Sequence, residues 1–308
     1  MPTVVNGGNT QQSESTQQNE YRSNVDSNKQ DFTQQESAEP QIQVNQIVNQ
    51  QVPIVVFVGP PSSGKSMILV RLAKYLRTHG FTVKTDETFL NTDKYREDCA
   101  EFNVKLNTNI ALKGSVTYLL VSVYWKGKEI AKLLEAPGEH FYDPDSESGK
   151  VNNYRVEPYL AAIMASPNPK SYVLLLDLDS EISFRNDSSR RDAYTNRFLS
   201  DFYPNINGDR DRIILLYNMI DKTPFGTIHG PENESEARND AKMYYSQLFA
   251  TMRVQRWVFF TVDNFVFQTF CTGKFSVATD EHGNSYKIYN IADDVYPERL
   301  WQEIVNRW

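Results

Sequence analysis

The sequence predicts an α/β fold, a mostly parallel sheet flanked by helices, behind a disordered N-terminal tail. Three observations carry this. Short, near-continuous apolar runs recur at 53–58, 172–178 and 212–217, the pattern of strands covered on both faces. Segments of helical period separate them, as at 65–79, 187–202 and 234–252. Residues 1–52 are instead dominated by Gln, Asn, Ser and Glu, with Tyr21 and Phe32 as their aromatics. Such a segment buries too little apolar surface to offset its chain entropy.

Residues 53–308 read as one domain, rich in Tyr, Phe and Trp. Ile42, Val44, Ile47, Val48 and Val52, just ahead of it, read as linker. The first strand, 53–58, runs into a Gly-rich loop. A helix follows, with Met67, Ile68, Leu69, Leu72, Ala73 and Leu76 at helical spacing and Gly80 as its C-terminal stop. Residues 81–84 suggest a short strand, and 87–102 form a polar stretch compatible with a helix. Residues 118–124 and 129–134 flank Trp125-Lys126-Gly127-Lys128 and predict a hairpin. A helix over 152–165, a strand over 172–178, a helix over 187–202 and a strand over 212–217 follow. The helix over 234–252 leads to a fourth strand at 257–262. A second hairpin is expected at 274–279 and 285–290, and a terminal helix starts with Pro297 in its first turn. In such sheets ligands bind at the carboxyl ends of the strands.

The net charge is -7, of which the tail's six acids and two bases carry -4 and the domain -3. Neither part is basic, so a large nucleic-acid footprint is not expected. No stretch is apolar for the 18 or more residues of a transmembrane helix, and the N-terminus lacks the basic-then-apolar pattern of a secretory signal. Cys99 and Cys271 fit neither a disulfide framework nor a zinc pattern, and a cytoplasmic chain is the simplest expectation.

Gly59-Pro60-Pro61-Ser62-Ser63-Gly64-Lys65-Ser66 matches G-x-x-x-x-G-K-[ST] between a strand and a helix. That spacing turns backbone N–H groups inward around a phosphate. Gly59 and Gly64 permit the dihedrals and the close approach. Lys65 brings a point charge to the outer phosphates, and Ser66 offers its hydroxyl to magnesium. The helix aims its positive end at the same anion. A nucleoside triphosphate with magnesium is the expected ligand.

The hairpin's second strand ends in Glu135-Ala136-Pro137-Gly138-Glu139-His140. Here the chain resembles the G domain of Ras-like and translation-factor-like GTPases, in which that strand runs into Asp-x-x-Gly. The resemblance implies that the Gly138 N–H meets the γ-phosphate and that Glu135 holds magnesium through water, with Glu in place of Asp. Asn218-Met219-Ile220-Asp221 resembles the family's Asn-Lys-x-Asp, in which the acid reads guanine; Met219 replaces the Lys, and Lys222 could cover the other side of the base. Asn218 would tie the base-side loops together. The order of elements also matches, over about residues 53–265. The mobile-loop Thr that closes over magnesium would be Thr117, with Thr108 the other choice. The final base-binding loop, which follows the last core strand, would be Thr261-Val262-Asp263-Asn264.

For the group that orients the hydrolytic water, Glu139 occupies the family's position and His140 follows. A bare Glu there repels a γ-phosphate, and His140 is the better candidate. Arg185, Arg190 and Arg191 read as a basic helix face, with a finger-like role conceivable. The resemblance thus implies a GTP/GDP-binding, Mg2+-dependent switch with slow hydrolysis and protein partners. Two alternatives stay open. A P-loop ATPase or small-molecule kinase would use Asp177 or Asp179 at a strand end, and a non-hydrolysing scaffold would suit the altered Glu135, Met219 and Glu139.

Overall fold

The computed structural model describes residues 52–108, 118–142, 156–176, 187–257, 260–279, 283 and 285–306. Residues 1–51 of the expected tail, Thr117, Asp177, Asp179 and Arg185 lie outside the described residues.

Strand β1 (Ile54–Val58) is buried at every residue, as its β-branched run requires. Helix α1 (Lys65–Thr78) follows the Gly-rich loop and ends at Gly80. Its end is a Schellman arrangement: the Phe81 N–H reaches the Leu76 carbonyl and the Gly80 N–H that of Arg77. After β2 (Thr82–Thr85) comes α2 (Asp93–Asn107), in the polar stretch compatible with a helix. Its buried stripe is Tyr95, Cys99, Phe102 and Leu106, and the Thr92 hydroxyl caps it by accepting from the Tyr95 N–H at 3.2 Å.

Strands β3 (Leu119–Trp125) and β4 (Lys128–Glu135) form the expected antiparallel hairpin. Its two turn residues, Lys126 and Gly127, both have positive φ, the turn that suits strand twist. Helix α3 (Pro158–Ala165), β5 (Lys170–Leu176) and α4 (Ser188–Arg197) come next, α4 capped by the Asp187 carboxylate on the Arg190 N–H at 3.0 Å. Strand β6 (Arg212–Tyr217) is followed by the small pair β7 (Gly226–Thr227) and β8 (Gly230–Pro231). The long helix expected over 234–252 breaks at Tyr245 into α5 (Glu234–Tyr244) and α6 (Ser246–Thr251).

The fourth strand needs correction. Residues 257–262 are not one strand of the main sheet. Strands β9 (Arg253–Trp257) and β10 (Phe260–Asp263) pair with each other as a separate antiparallel ribbon. The strand that joins the main sheet is β11 (Val266–Thr269), paired parallel to β6. Strands β12 (Gly273–Thr279) and β13 (Ser285–Ile291) make the second hairpin, and α7 (Val295–Val305) closes the described chain.

The seven-stranded sheet runs β11-β6-β5-β1-β4-β3-β2, with β1, β4, β5, β6 and β11 parallel and β3 antiparallel between its neighbours. Its centre is β1, between β4 and β5, so the Gly-rich loop leaves the middle of the sheet at the carboxyl edge. Strands β11 and β2 form the two edges, and β2 runs antiparallel to β3. Arg71 of α1, fully buried, fastens this helix to the chain ahead of α7 by donating to the Ala292 carbonyl and the Asp294 carboxylate, at 2.8 and 2.5 Å. Among the described residues no helix is long and apolar enough to cross a membrane.

Candidate nucleotide site

Four segments meet at the carboxyl edge of the sheet: the loop after β1, the turn after β4, the loop after β6 and the loop after β11. The first is wound by two residues of positive φ, Ser62 at 61° and Gly64 at 90°. Alternation of this kind turns successive N–H groups to one side and makes a concavity for an anion. Lys65 opens α1 and is buried. Its ammonium donates to the carbonyls of Gly59 and Pro60, both at 3.0 Å, which folds the loop around it and leaves one of three protons for a ligand. Gly59 is close-packed too: a side chain there would begin 2.7 Å from the Ser63 hydroxyl and 3.1 Å from Leu175.

The parallel register sets Phe57 beside Glu135, so β4 delivers that carboxylate to the base of the loop. Glu135 is 2% exposed. Its Oε1 accepts the Ser66 hydroxyl, whereas its Oε2 is buried and accepts no hydrogen bond among the described residues. Burial pushes the Glu135 carboxyl above the usual carboxylate range, and Lys65 and Ser66 oppose this. Burial likewise pulls the Lys65 ammonium below the usual lysine range, and Glu135 and Glu139 oppose it. These residues fit magnesium. The cation takes hard oxygen ligands, binds through one or two protein groups plus phosphates, and would satisfy the orphaned carboxylate oxygen.

The turn after β4 lies directly on the phosphate loop. A Cβ on Gly138 would fall 2.2 Å from the Pro61 nitrogen and 2.5 Å from the Pro60 carbonyl carbon. Those are backbone atoms, so only glycine fits. Glu139 next to it is exposed and within electrostatic reach of Lys65. His140 is held from two sides, with Nδ1 at 2.8 Å from the Tyr159 hydroxyl and Nε2 at 3.5 Å from that of Tyr118. Both rings lie 5.6 Å from the imidazole. Burial lowers its pKa to about 4, with Arg197 and Lys65 adding to the effect, so His140 is neutral at pH 7.

Asn218 and Asp221 sit in the loop after β6. The Asn218 amide donates to the Ser63 carbonyl at 3.1 Å. Met219 takes the left-handed conformation at φ 57°, which turns the chain into a single 3-10 turn, Ile220–Lys222. One oxygen of Asp221 accepts the Cys271 thiol at 3.1 Å. The Ile220 N–H bonds the Phe270 carbonyl and the Phe270 N–H the Tyr217 carbonyl, which ties the two loops together.

Several expectations change here. Thr261, Val262, Asp263 and Asn264 are not the loop after the last core strand: all but Asn264 lie in the β9–β10 ribbon, where Asp263 pairs with Arg238 and Arg253. The loop after β11 is 270–272, and it brings Cys271, which the sequence had offered only as one of two cysteines. Arg190 pairs with Asp187 and Arg191 lies over the Tyr244 ring. The arginine that reaches the turn is instead Arg197, buried, donating to the His140 carbonyl at 3.1 Å. Thr108 caps the end of α2, and its carbonyl accepts Lys74.

No family model and no curated protein matches the chain. Among solved structures it is similar to a protein described as a candidate nucleolar GTP-binding protein 1 from Plasmodium falciparum, at 14% identity and TM-score 0.38, covering 75% of this chain and 80% of that one. It is also similar to the signal recognition particle receptor SRb-GTP/SRX complex from Chaetomium thermophilum, at 12% identity and TM-score 0.37, covering 82% and 97%. Likenesses this distant add no weight; the functional reading rests on the chain's own topology and residues.

Proposed function

We propose that this chain binds GTP and GDP with magnesium and acts as a nucleotide-dependent switch with slow hydrolysis. One observation carries the choice of guanine. Asp221, the acid of the Asn-x-x-Asp segment, sits in the loop after β6 with one oxygen on Cys271 of the next loop, while Asn218 of the same segment is bonded to the phosphate loop. A nucleotide whose phosphates lie in the Gly59–Ser66 loop has its base directed along this edge, toward those loops. A carboxylate accepts from the N1 and N2 donors of guanine and finds no such pair on adenine.

In this reading the loop's N–H groups and Lys65 hold the phosphates. Ser66 and Glu135, with Thr117 as a further ligand, would hold magnesium, which would neutralise charge on the outer phosphates. The Gly138 N–H would meet the γ-phosphate. His140 is the candidate to orient water, as a neutral ring fixed by two tyrosines. Glu139, exposed and anionic, is the weaker candidate. A slow rate fits a site whose water-orienting group is a half-buried, weakly basic imidazole. The scaffold reading differs only in lacking turnover.

The test is to identify the nucleotide that co-purifies with the chain and to titrate GTP, GDP and ATP against wild type and Lys65→Ala. The variant loses a charge-assisted bond worth roughly 1.5–3 kcal/mol, a weakening of about tenfold to a hundredfold. Equal binding by the variant, or a wild type that prefers ATP, would refute the proposal.

A further inference from the structure

We infer that the Tyr159 hydroxyl fixes His140 with its ring proton on Nε2, so that the imidazole meets a bound nucleotide as a hydrogen-bond donor and not as a base. The second half rests on the nucleotide reading above; the first concerns the free protein. His140 follows Gly138 by two residues in the turn after β4 and is half-buried. Its Nδ1 lies 2.8 Å from the hydroxyl of Tyr159, in the first turn of α3. Tyr159 is 6% exposed, and burial pushes its hydroxyl well above the usual tyrosine range, so the hydroxyl keeps its proton. Among the described residues the hydrogen-bond partner of that hydroxyl is His140. A neutral imidazole has one nitrogen that donates and one that accepts. If Nδ1 donated, the Tyr159 proton would be left in the interior without an acceptor, which is unfavourable. If Nδ1 accepts, that bond is made and the ring proton sits on Nε2.

Nε2 faces the weaker partner. It stands 3.5 Å from the Tyr118 hydroxyl, at the long limit of a hydrogen bond, with the two rings edge to face. A proton there is left for a better acceptor. Burial keeps a second proton off the ring, and the charges of Arg197 and Lys65 act in the same direction. Lys65 also opens the phosphate loop's helix, so phosphate oxygens, or a water held against them, come within reach of the same field. Nδ1 directs its lone pair at Tyr159 and Nε2 has none to offer. Neither nitrogen can take a proton from water while the Tyr159 bond stands. Tyr159 acts through His140 and is a positioning residue.

Long-range 1H–15N correlation spectra of the free protein at neutral pH report which ring nitrogen carries the proton, and His140→Gln assigns the signals among the chain's four histidines. Wild type should show one form, with hydrogen on Nε2. Tyr159→Phe, which keeps the ring and removes the donor, should show the average of two forms. A proton on Nδ1 in wild type, or an average there, overturns the inference whether or not the variant folds, and so does an unchanged form in a folded Tyr159→Phe. Single-turnover hydrolysis of GTP tests the donor. Gln brings a side-chain N–H to the place of Nε2–H and has no basic nitrogen. His140→Gln should therefore keep the rate within about threefold, and His140→Ala should lose about tenfold, the worth of one hydrogen bond. A rate for Gln as low as that for Ala overturns the donor role. A wild type that binds no GTP would instead overturn the nucleotide reading, and the spectra would still decide the place of the proton.

Discussion

The side-chain amide of Asn218 donates to the carbonyl of Ser63 at 3.1 Å, and the same nitrogen lies 2.8 Å from where a side chain on Gly64 would begin. One buried amide therefore fastens the loop after β6 to the phosphate loop. It also occupies the space beside the residue whose positive φ shapes the anion concavity. The two loops are in direct contact at this point.

Asn218→Ala should weaken nucleotide binding more than it lowers stability. The lost hydrogen bond is worth about 1 kcal/mol of folding stability. The phosphate loop, freed at Ser63, must then be ordered by the ligand, which lowers affinity. Isothermal titration with GDP and thermal melting of the free protein separate the effects. A large drop in melting temperature with unchanged affinity would show that the contact is only structural.

Gly138→Ala should disable the site while sparing the core. The added methyl would meet backbone atoms of Pro60 and Pro61 at 2.2–2.6 Å, and neither proline can swing aside as a flexible side chain would. Overpacking of this kind costs about 1–3 kcal/mol, and the phosphate loop is the element that must move. Nucleotide affinity should fall at least about tenfold, with far-ultraviolet circular dichroism unchanged. Normal affinity would mean that the turn and loop separate freely in solution.

His140 should make the fold acid-sensitive. Its pKa in the folded chain, about 4, lies below the ordinary 6.5. Between those values the unfolded chain takes up a proton that the folded chain does not, so stability rises with pH across this window. The contribution is fully present above about pH 6.5 and is lost as pH falls toward 4. His140→Gln cannot take up that proton. Wild type should therefore lose more melting temperature between pH 7 and pH 4.5 than the variant does, measured by scanning fluorimetry. Equal losses would show that His140 is exposed or protonated in solution.

The parts read correctly from sequence are those with a strong local signal. Strands β5 and β6 are legible from their apolar runs over 172–176 and 213–217, which both covered faces require, and the bounds of β6 match those expected. The β3–β4 hairpin announced itself through Lys126-Gly127, a pair able to adopt positive φ. Helix α2 was obscured because charged residues surround Tyr95, Cys99, Phe102 and Leu106, so its stripe is narrow. Strand β11 was missed for a different reason. It has four residues, and two of them, Gln268 and Thr269, are polar yet buried. The β10 segment is no less β-prone, and only the pairing of Val266 with Ile214 decides which joins the sheet. That error displaced the final loop and hid Cys271. Arg197 left no local trace, because its importance lies in reaching a carbonyl 57 residues away.

Base preference is the sharpest test of the functional reading, and it turns on Asp221. In the free protein one carboxylate oxygen takes the Cys271 thiol, a weak donor, and the loops that carry both residues are bonded to each other through Ile220 and Phe270. Among the described residues the hydrogen-bond partner of the carboxylate is that thiol, and a ligand offering two N–H donors gains what the thiol does not supply. Guanine offers them at N1 and N2; adenine presents an acceptor at N1. Each buried polar group left unpaired costs roughly 1–3 kcal/mol, so wild type should prefer GDP to ADP by at least about tenfold. Asp221→Asn is nearly isosteric, keeps an acceptor for the thiol, and places an amide donor against one of the guanine donors. It should weaken GDP binding by about tenfold to a hundredfold and narrow the preference, while the melting temperature of the free protein stays within a few degrees. Fluorescent GDP and ADP analogues titrated against both proteins measure this. Unchanged discrimination in the variant would remove Asp221 from the base site and return the chain to the ATPase or kinase reading.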